Sequence, residues 1–210
     1  MEPEIVDEVL PDATPTRDPV TRLARWLTEI FAPPVLVAVL PIVIGVHAGR
    51  TVGSGLAWGL FASLFVGVIP YAIVLYGVLR GRLSDRHIGV REQRTKPLAL
   101  LLVSVLVGIV LLAALGAPRA VTALVVAMFV GGLVATVINH FWKLSVHASV
   151  AAGTTLVLTL AFGPALLATA VMVAAVGWSR VRLRDHTTWQ VVAGTVVGAV
   201  VSGLAFGLLR

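Results

Sequence analysis

Apolar stretches succeed one another along this chain at about 31–48, 54–79, 97–116, 119–138, 148–162, 164–178 and 190–209, with only short polar, Gly or Pro segments between them. A helix needs about 20 apolar residues to cross roughly 30 Å of hydrocarbon at about 1.5 Å per residue, and the longer stretches reach that length. Of the 210 residues, 58% are apolar and 12% charged, with a mean hydropathy of +0.99. Soluble domains do not show such a balance. The expected fold is an all-α integral membrane protein, a bundle of about six or seven transmembrane helices. The count depends on Gly163-Pro164, between two stretches of 15 residues each, which is either a turn or a kink in one longer helix.

Residues 1–16 hold five acids, three prolines and no Lys or Arg, which predicts a disordered acidic tail and not a secretory signal. Asp18-Pro19 reads as an N-cap followed by proline at the first helical position. Val20, Leu23, Leu27 and Ile30 then recur at helical spacing with Arg22 and Arg25 between them, predicting an amphipathic interfacial helix over 17–30. Residues 31–210 form a single transmembrane domain on this reading.

With this helix count the N-terminus and the loops at 80–96, 139–147 and 179–189 share one side and carry thirteen of the sixteen Lys and Arg. Arg50, Arg119 and Arg210 fall on the other. The positive-inside rule places the crowded face in the cytoplasm of a multi-pass cell (inner) membrane protein. Nucleic-acid binding is not expected, since no basic run lies on a soluble module and basic loops beside spans have their own topological reason. No repeat of motifs is visible, against an inverted-repeat transporter. Nothing in the sequence bears on oligomeric state.

The chain has no cysteine, so histidines and carboxylates carry whatever chemistry there is. Three polar knots fall on the crowded face: SDRHIGVREQRTKP (84–97), NHFWKLSVHAS (139–149) and SRVRLRDHTTWQ (179–190). Taken singly, such loops serve as topology signals or headgroup contacts, and a histidine at a helix end serves as a cap. Together, clustered cations at a membrane surface repel one another unless an anion sits among them. In the third knot a helix beginning near His186 puts His186, Gln190 and Gly194 on one face, so the Gln190 amide oxygen can hold one ring nitrogen and leave the other free as a nucleophile. Arg180 supplies a planar fork matched to phosphate. In the second, Lys143, Ser145 and His147 open an apolar helix with Ser145 as N-cap, its first-turn amides facing an anion. Arg91, Arg94 and Lys96 add positive charge from the first.

These residues resemble the type-2 phosphatidate phosphatase superfamily, membrane lipid phosphatases that share an active site with vanadium haloperoxidases. Its pattern runs Lys, six residues, Arg-Pro; then Pro-Ser-Gly-His; then Ser-Arg, five residues, His, three residues, Asp. SRVRLRDHTTWQ is similar to the third part in spacing and in every residue but the last, where Gln190 stands for Asp. KLSVH keeps Ser145 and His147 of the second, with Leu144 and Val146 for Pro and Gly. The first part has two registers: Lys96-Pro97 for Arg-Pro with Gly89 seven residues earlier, or Arg94-Thr95 with His87 in the lysine position. The resemblance spans roughly 91–194.

It implies a phosphatase needing neither metal nor other cofactor. His186 attacks phosphorus, His147 protonates the leaving oxygen, and water then releases phosphate from the phosphohistidine. Arg180, Arg94 and Lys143, with amides near Ser145, neutralise the phosphoryl oxygens. A phosphate site at helix ends admits a headgroup while its tail stays in lipid, so the expected substrate is a membrane lipid phosphate or a prenyl phosphate or diphosphate. The competing readings are a weak or inactive phosphate- or lipid-binding relative, suggested by the amide at Gln190; a UbiA-type prenyltransferase, which needs aspartate pairs for magnesium where only Asp85 and Asp185 lie near the basic face; and a transporter, which needs polar residues deep in the spans.

Overall fold

A computed structural model of the chain describes residues 18–81 and 95–210, without the side chains of 95–98. The acidic tail, Arg17, and the segment bearing His87, Gly89, Arg91 and Arg94 lie outside the described residues, as does the Lys96 side chain. Among the described residues all regular structure is helical: α1 (Pro19–Ile30), α2 (Pro33–Ala48), α3 (Val52–Ser63), α4 (Ile69–Leu79), α5 (Thr95–Ala114), α6 (Arg119–Phe141), α7 (Val146–Phe162), α8 (Ala170–Arg182) and α9 (Thr188–Leu209).

Among the described residues, four continuous helical segments are long and apolar enough to cross a membrane: Val52–Leu79, Arg119–Phe141, Pro164–Arg182 and Thr188–Leu209. A fifth arises if α1 and α2, bent by 45°, count as one span. The apolar part of α5 (Ala99–Ala114) and α7 are shorter. The bend has a local cause: Ala32 precedes two prolines and is held extended (φ −61°, ψ 143°), a conformation that proline imposes on its predecessor. Within Val52–Leu79, a π-helical turn at Leu64–Val68 joins α3 to α4 just before Pro70. Proline there lacks an N–H and crowds the carbonyl four residues back, and a wider turn relieves both.

Gly163-Pro164 is a turn. Gly163 has φ 104°, which suits glycine, and the Thr155 hydroxyl donates to the Thr169 carbonyl at 3.3 Å. Fourteen residues along one helix, even a kinked one, would stand about 20 Å apart. The chain therefore reverses, and a six-residue 3-10 stretch (Pro164–Thr169) leads back into α8.

At one end of the bundle Arg119 Nε donates to the Leu209 carbonyl at 2.8 Å, the His47 and Phe162 rings meet tilted with centroids 4.3 Å apart, and Arg50 and Pro118 line one cavity. At the other end Arg182 pairs with Asp18 at 2.7 Å and Lys143 reaches the Asp185 carbonyl at 2.7 Å. Large buried side chains, among them Ile44, Leu112, Leu124 and Phe206, form the main core. Large apolar residues such as Leu60, Val110, Val137, Val200 and Leu204 point outward. An apolar exterior around a core that includes many small residues is what hydrocarbon solvent requires, and the protein is membrane-embedded.

Helix α1 begins as its sequence indicates, with the Asp18 carboxylate accepting from the amides of Val20 (3.2 Å) and Thr21 (3.3 Å). Its packed face differs from the apolar stripe. Ala24 and Thr28 are buried, while Val20, Leu23, Trp26 and Ile30 are exposed. The small residues let α1 sit close on the bundle, with Thr28 against Ser179 of α8, and leave the apolar stripe for lipid.

The closest helix approaches run along glycines. A Cβ on Gly194 would overlap the Ser145 carbonyl, and one on Gly198 would overlap the Ser149 backbone, so α9 lies backbone to backbone on α7 at two successive turns. Gly45 on α2 does the same against Gly55 and Gly59 of α3, where a Cβ would meet Gly55 O at 2.5 Å and Gly59 N at 2.8 Å. Gly198→Ala is expected to lose about 1–3 kcal/mol of stability through this overlap. Gly131→Ala, where nothing stands within 4 Å of the added methyl, should be neutral or stabilising. Melting of both variants in detergent checks the contrast, and equal midpoints would remove the seam from the account.

Candidate functional site

Helix α8 continues through Arg182, so Ser179 and Arg180 sit on its last turns and not in a loop over 179–189 as expected from the sequence. Its end is a Schellman motif: Asp185 N donates to Arg180 O at 3.1 Å, and Arg184 N to Val181 O at 3.0 Å. The motif needs a left-handed residue, and Arg184 supplies it with φ 57°, at a cost of roughly 1–2 kcal/mol for a side chain other than glycine. In return Asp185 and His186 are folded back over the Arg180 turn, and the His186 amide also reaches Arg180 O at 3.3 Å.

Helix α9 begins at Thr188, two residues past His186. Thr187 is its N-cap, and a capping box closes it: Gln190 N donates to Thr187 Oγ1 at 3.3 Å, and Thr187 N donates to Gln190 Oε1 at 3.1 Å. His186 lies outside the helix, yet its Nδ1 is 3.3 Å from the same Gln190 oxygen. The expected contact therefore forms through a cap in place of helical i, i+4 spacing. Its chemistry follows from the cap. A backbone amide can only donate, so the atom facing Thr187 N must be the Gln190 oxygen, which can only accept. Nδ1 of a neutral His186 thus carries the proton, and the lone pair is left on Nε2.

The second knot meets the third through backbone. Ser145 N donates to Gln190 O at 3.2 Å, an approach that Gly194 permits by carrying no Cβ against the Ser145 carbonyl. Ser145 is the N-cap of α7, with its hydroxyl accepting from Ala148 N at 3.4 Å. His147 is buried in that same first turn. Asn139 near the end of α6 shapes the connection: its Oδ1 accepts from Leu144 N at 3.0 Å and its Nδ2 donates to Ala135 O at 2.8 Å. Lys143 is thereby carried across to the Asp185 carbonyl.

Arg180 is the most constrained cation. Its neighbour Ser179 is fully buried and gives its hydroxyl proton to Val176 O at 2.8 Å, so Thr28 on α1 is the donor in the 3.0 Å contact between the two hydroxyls. The Arg180 guanidinium, 13% exposed, is 3.0 Å from the Asp185 carboxylate through NH1. Its Nε is buried with no acceptor among the described residues. An orphaned guanidinium donor at this depth costs free energy that an incoming acceptor would recover.

Burial pushes the His186 pKa down to about 4, with the Arg180 and Lys143 charges adding to the effect and the Gln190 bond and Asp185 opposing it. Both cations thus act directly on the ring. Asp18, at the α1 start, is held below the usual carboxylate range by its Arg182 partner and the capped amides.

Seven to eight residues below this cluster on α7 and α8, about 10–12 Å along each helix, Thr154, Thr169, Val171 and Met172 join Phe31 and Leu40 around an apolar groove of about 310 Å³.

Arg180, Lys143, Ser145, His186 and Gln190 are thus brought together by direct contacts or electrostatic reach, with His147 two residues beyond Ser145. Arg91, Arg94 and the Lys96 side chain, lying outside the described residues, take no part in this account. The sequence reading missed the Thr187–Gln190 box, although T-x-x-Q is its ordinary signature, and it missed Asp185 as the Arg180 partner and Thr28 as the Ser179 partner. Arg182, expected as a topology marker, also ties α8 to the start of α1 through Asp18. Comparison with protein-family models, curated proteins and solved structures gives no match.

Because the His186 pKa lies well below its ordinary value, the ring stays neutral as pH falls from 7 and becomes cationic only near 4. Titration of its Cε1–H resonance in detergent is expected to show that midpoint. Gln190→Glu keeps the capping box and adds a carboxylate beside Nδ1, so the midpoint should rise toward 6.5, the ordinary value. A wild-type midpoint near 6.5 would contradict the burial of the ring.

Proposed function

We propose that the protein is a metal-independent phosphatase that hydrolyses a membrane lipid phosphate or a prenyl phosphate or diphosphate through a phosphohistidine. The observation that carries this reading is a buried guanidinium donor without an acceptor among the described residues, Arg180 Nε, in a site whose neutral histidine turns Nδ1 to Gln190 and so keeps its lone pair on Nε2. A phosphoryl group supplies what each lacks: acceptor oxygens for Arg180 and Lys143, and an electrophilic phosphorus for His186.

In the proposed reaction Nε2 of His186 forms the N–P bond as the bond to the leaving oxygen breaks, and His147 gives that oxygen its proton. Water then attacks the phosphohistidine, losing a proton to His147, and the N–P bond breaks to release phosphate. Arg180, Lys143 and the amides around Ser145 carry the oxygen charge in both steps. Lys96, Arg94 and Arg91 would add to that charge from the first knot. The apolar groove on α2, α7 and α8 supports an amphiphilic substrate, since it begins about 10–12 Å from the polar cluster along the two helices that carry it.

The Gln190 amide favours a second reading, a binding-only or slow relative. It orients the ring through an oxygen shared with Thr187 N, but brings no charge to the imidazolium that forms in turnover. The proposal places the site on the cytoplasmic face of a multi-pass inner-membrane protein. Counting α2, the α3–α4 rod, α5, α6, α7, α8 and α9 as passes gives seven spans, with α1 at the interface.

Purified protein is expected to release phosphate from at least one member of a panel of lipid phosphates and prenyl diphosphates. EDTA should leave the rate unchanged, and both His186→Ala and His147→Ala should lower it by about 10²-fold or more. Equal release by wild type and both variants would remove the assignment. Arg182→Cys, in a chain with no native cysteine, should resist an impermeant thiol reagent applied outside intact cells while Arg119→Cys reacts; the reverse pattern inverts the topology.

A further inference from the structure

We propose that Asp185 is a specificity residue: its carboxylate occupies Arg180 in the resting site, so that phosphomonoester and diphosphate headgroups are admitted and the monoanionic phosphodiester headgroups of bulk phospholipid are refused. This rests on the phosphate-site reading above and adds to it the class of headgroup and the means of selecting it.

The residue holds both cations of the cluster at once. Its carboxylate lies 3.0 Å from Arg180 NH1, and its backbone carbonyl accepts from Lys143 Nζ at 2.7 Å. The Schellman motif fixes the carbonyl through the Asp185 and His186 amides, whereas the carboxylate, on a side chain 43% exposed, is free to swing outward. Asp185 can therefore release Arg180 without the backbone of the site moving. Glu29, in the last turn of α1, adds a weaker negative field on the same guanidinium.

An entering anion must do better than this carboxylate. A phosphodiester carries one negative charge, the same as Asp185, and exchanging one for the other on Arg180 yields no Coulombic gain while leaving two like charges close together. A phosphomonoester carries about −1.5 to −2 at pH 7, and a diphosphate more. Either attracts Arg180 and Lys143 more strongly than a carboxylate does and offers further oxygens to the orphaned Nε. A site opening onto a leaflet crowded with phosphodiester headgroups needs such a screen more than a soluble site does, because its competitors are held at its mouth. The carboxylate works by repelling the wrong headgroup as well as by shielding the cation.

The test uses full-length wild type, Asp185→Asn and Asp185→Glu in a neutral detergent at pH 7.5, titrated with short-chain phosphatidate (monoester) and short-chain phosphatidylglycerol (diester). Dissociation constants are read from the ligand-induced rise in melting temperature. Wild type should prefer the monoester by about tenfold or more; Asp185→Asn should bind the diester about tenfold tighter, so that the preference collapses; Asp185→Glu should restore it. If Asp185→Asn does not fold, Asp185→Ser takes its place. An unchanged preference in the neutral variant overturns the proposal, and so does a wild type that binds neither ligand. Hydrolysis is measured in parallel. Phosphatidate bound with the expected preference shift but left intact, by a wild type inactive on the whole substrate panel, sinks the phosphatase reading and leaves the screen standing. Hydrolysis with an unchanged preference sinks the screen alone.

Discussion

The near contact of α9 with α7 is the constraint on which the site depends. Helix axes normally stand 8–10 Å apart because side chains keep them so. At Gly194 and Gly198 there is no side chain, and the α9 backbone rests on the carbonyls of Ser145 and Ser149. Only at that separation can Ser145 N reach the Gln190 carbonyl. That single backbone bond sets the start of α7 beside the start of α9, and with it Ser145 and His147 beside the turn that carries His186. Hydrocarbon offers no hydrophobic drive for two helices to associate, so contact this close must be held by dispersion and by polar bonds at the ends. The seam supplies the first, and the Ser145, Gln190 and Lys143 bonds supply the second.

Charge is arranged around one buried guanidinium. Arg180 is on a helix whose neighbouring residue, Ser179, is locked to Thr28 of α1, so its base cannot move far. Among the described residues its compensation is lopsided: one carboxylate on NH1, a weaker field from Glu29, and nothing on Nε. A permanent structural ion pair would be expected to satisfy the fork more fully, since burial makes unsatisfied donors costly. The arrangement instead resembles a cation kept partly neutralised until a stronger acceptor arrives.

Much of this is legible in the sequence. Asp18 as cap, Ser145 as cap, the crowding of basic residues at one end and the pairing of Gln190 with His186 all follow from residue type and spacing, because caps and polar pairs are local. What failed was the periodic reading where tertiary contact overrode it. In helix α1 the periodicity marks the apolar stripe but not the face that packs: Ala24 and Thr28 meet the bundle, because lipid takes the large apolar residues as readily as protein does. Helix α8 was expected to stop at Trp178, where hydropathy falls, yet it runs to Arg182 because Ser179 and Arg180 have partners on α1 and in the following turn. The α9 start lies near His186 as expected, but T-x-x-Q marks Thr187 as the cap and leaves His186 just outside the helix. Gly163-Pro164 stayed ambiguous because a turn and a kink share one local signature; only the Thr155–Thr169 bond, across the reversal, separates them.

The environment of His186 makes two demands that one residue cannot satisfy alone. Desolvation and the two cations that keep the ring neutral, and so able to attack, also oppose the positive charge that it acquires once Nε2 bonds to phosphorus. A carboxylate at position 190 would ease the second demand while raising the pKa, whereas the Gln190 amide leaves both where burial puts them. In the proposed reaction the substrate resolves the conflict. Its phosphoryl oxygens bring negative charge to Arg180 and Lys143, and the repulsion that those cations exert on the ring falls as the N–P bond forms. Charge compensation then arrives with the substrate in place of being built into the chain. It is strongest for a headgroup of high charge, so the same electrostatics that would select a monoester or diphosphate at Asp185 would also make it the headgroup best able to sustain the histidine through turnover.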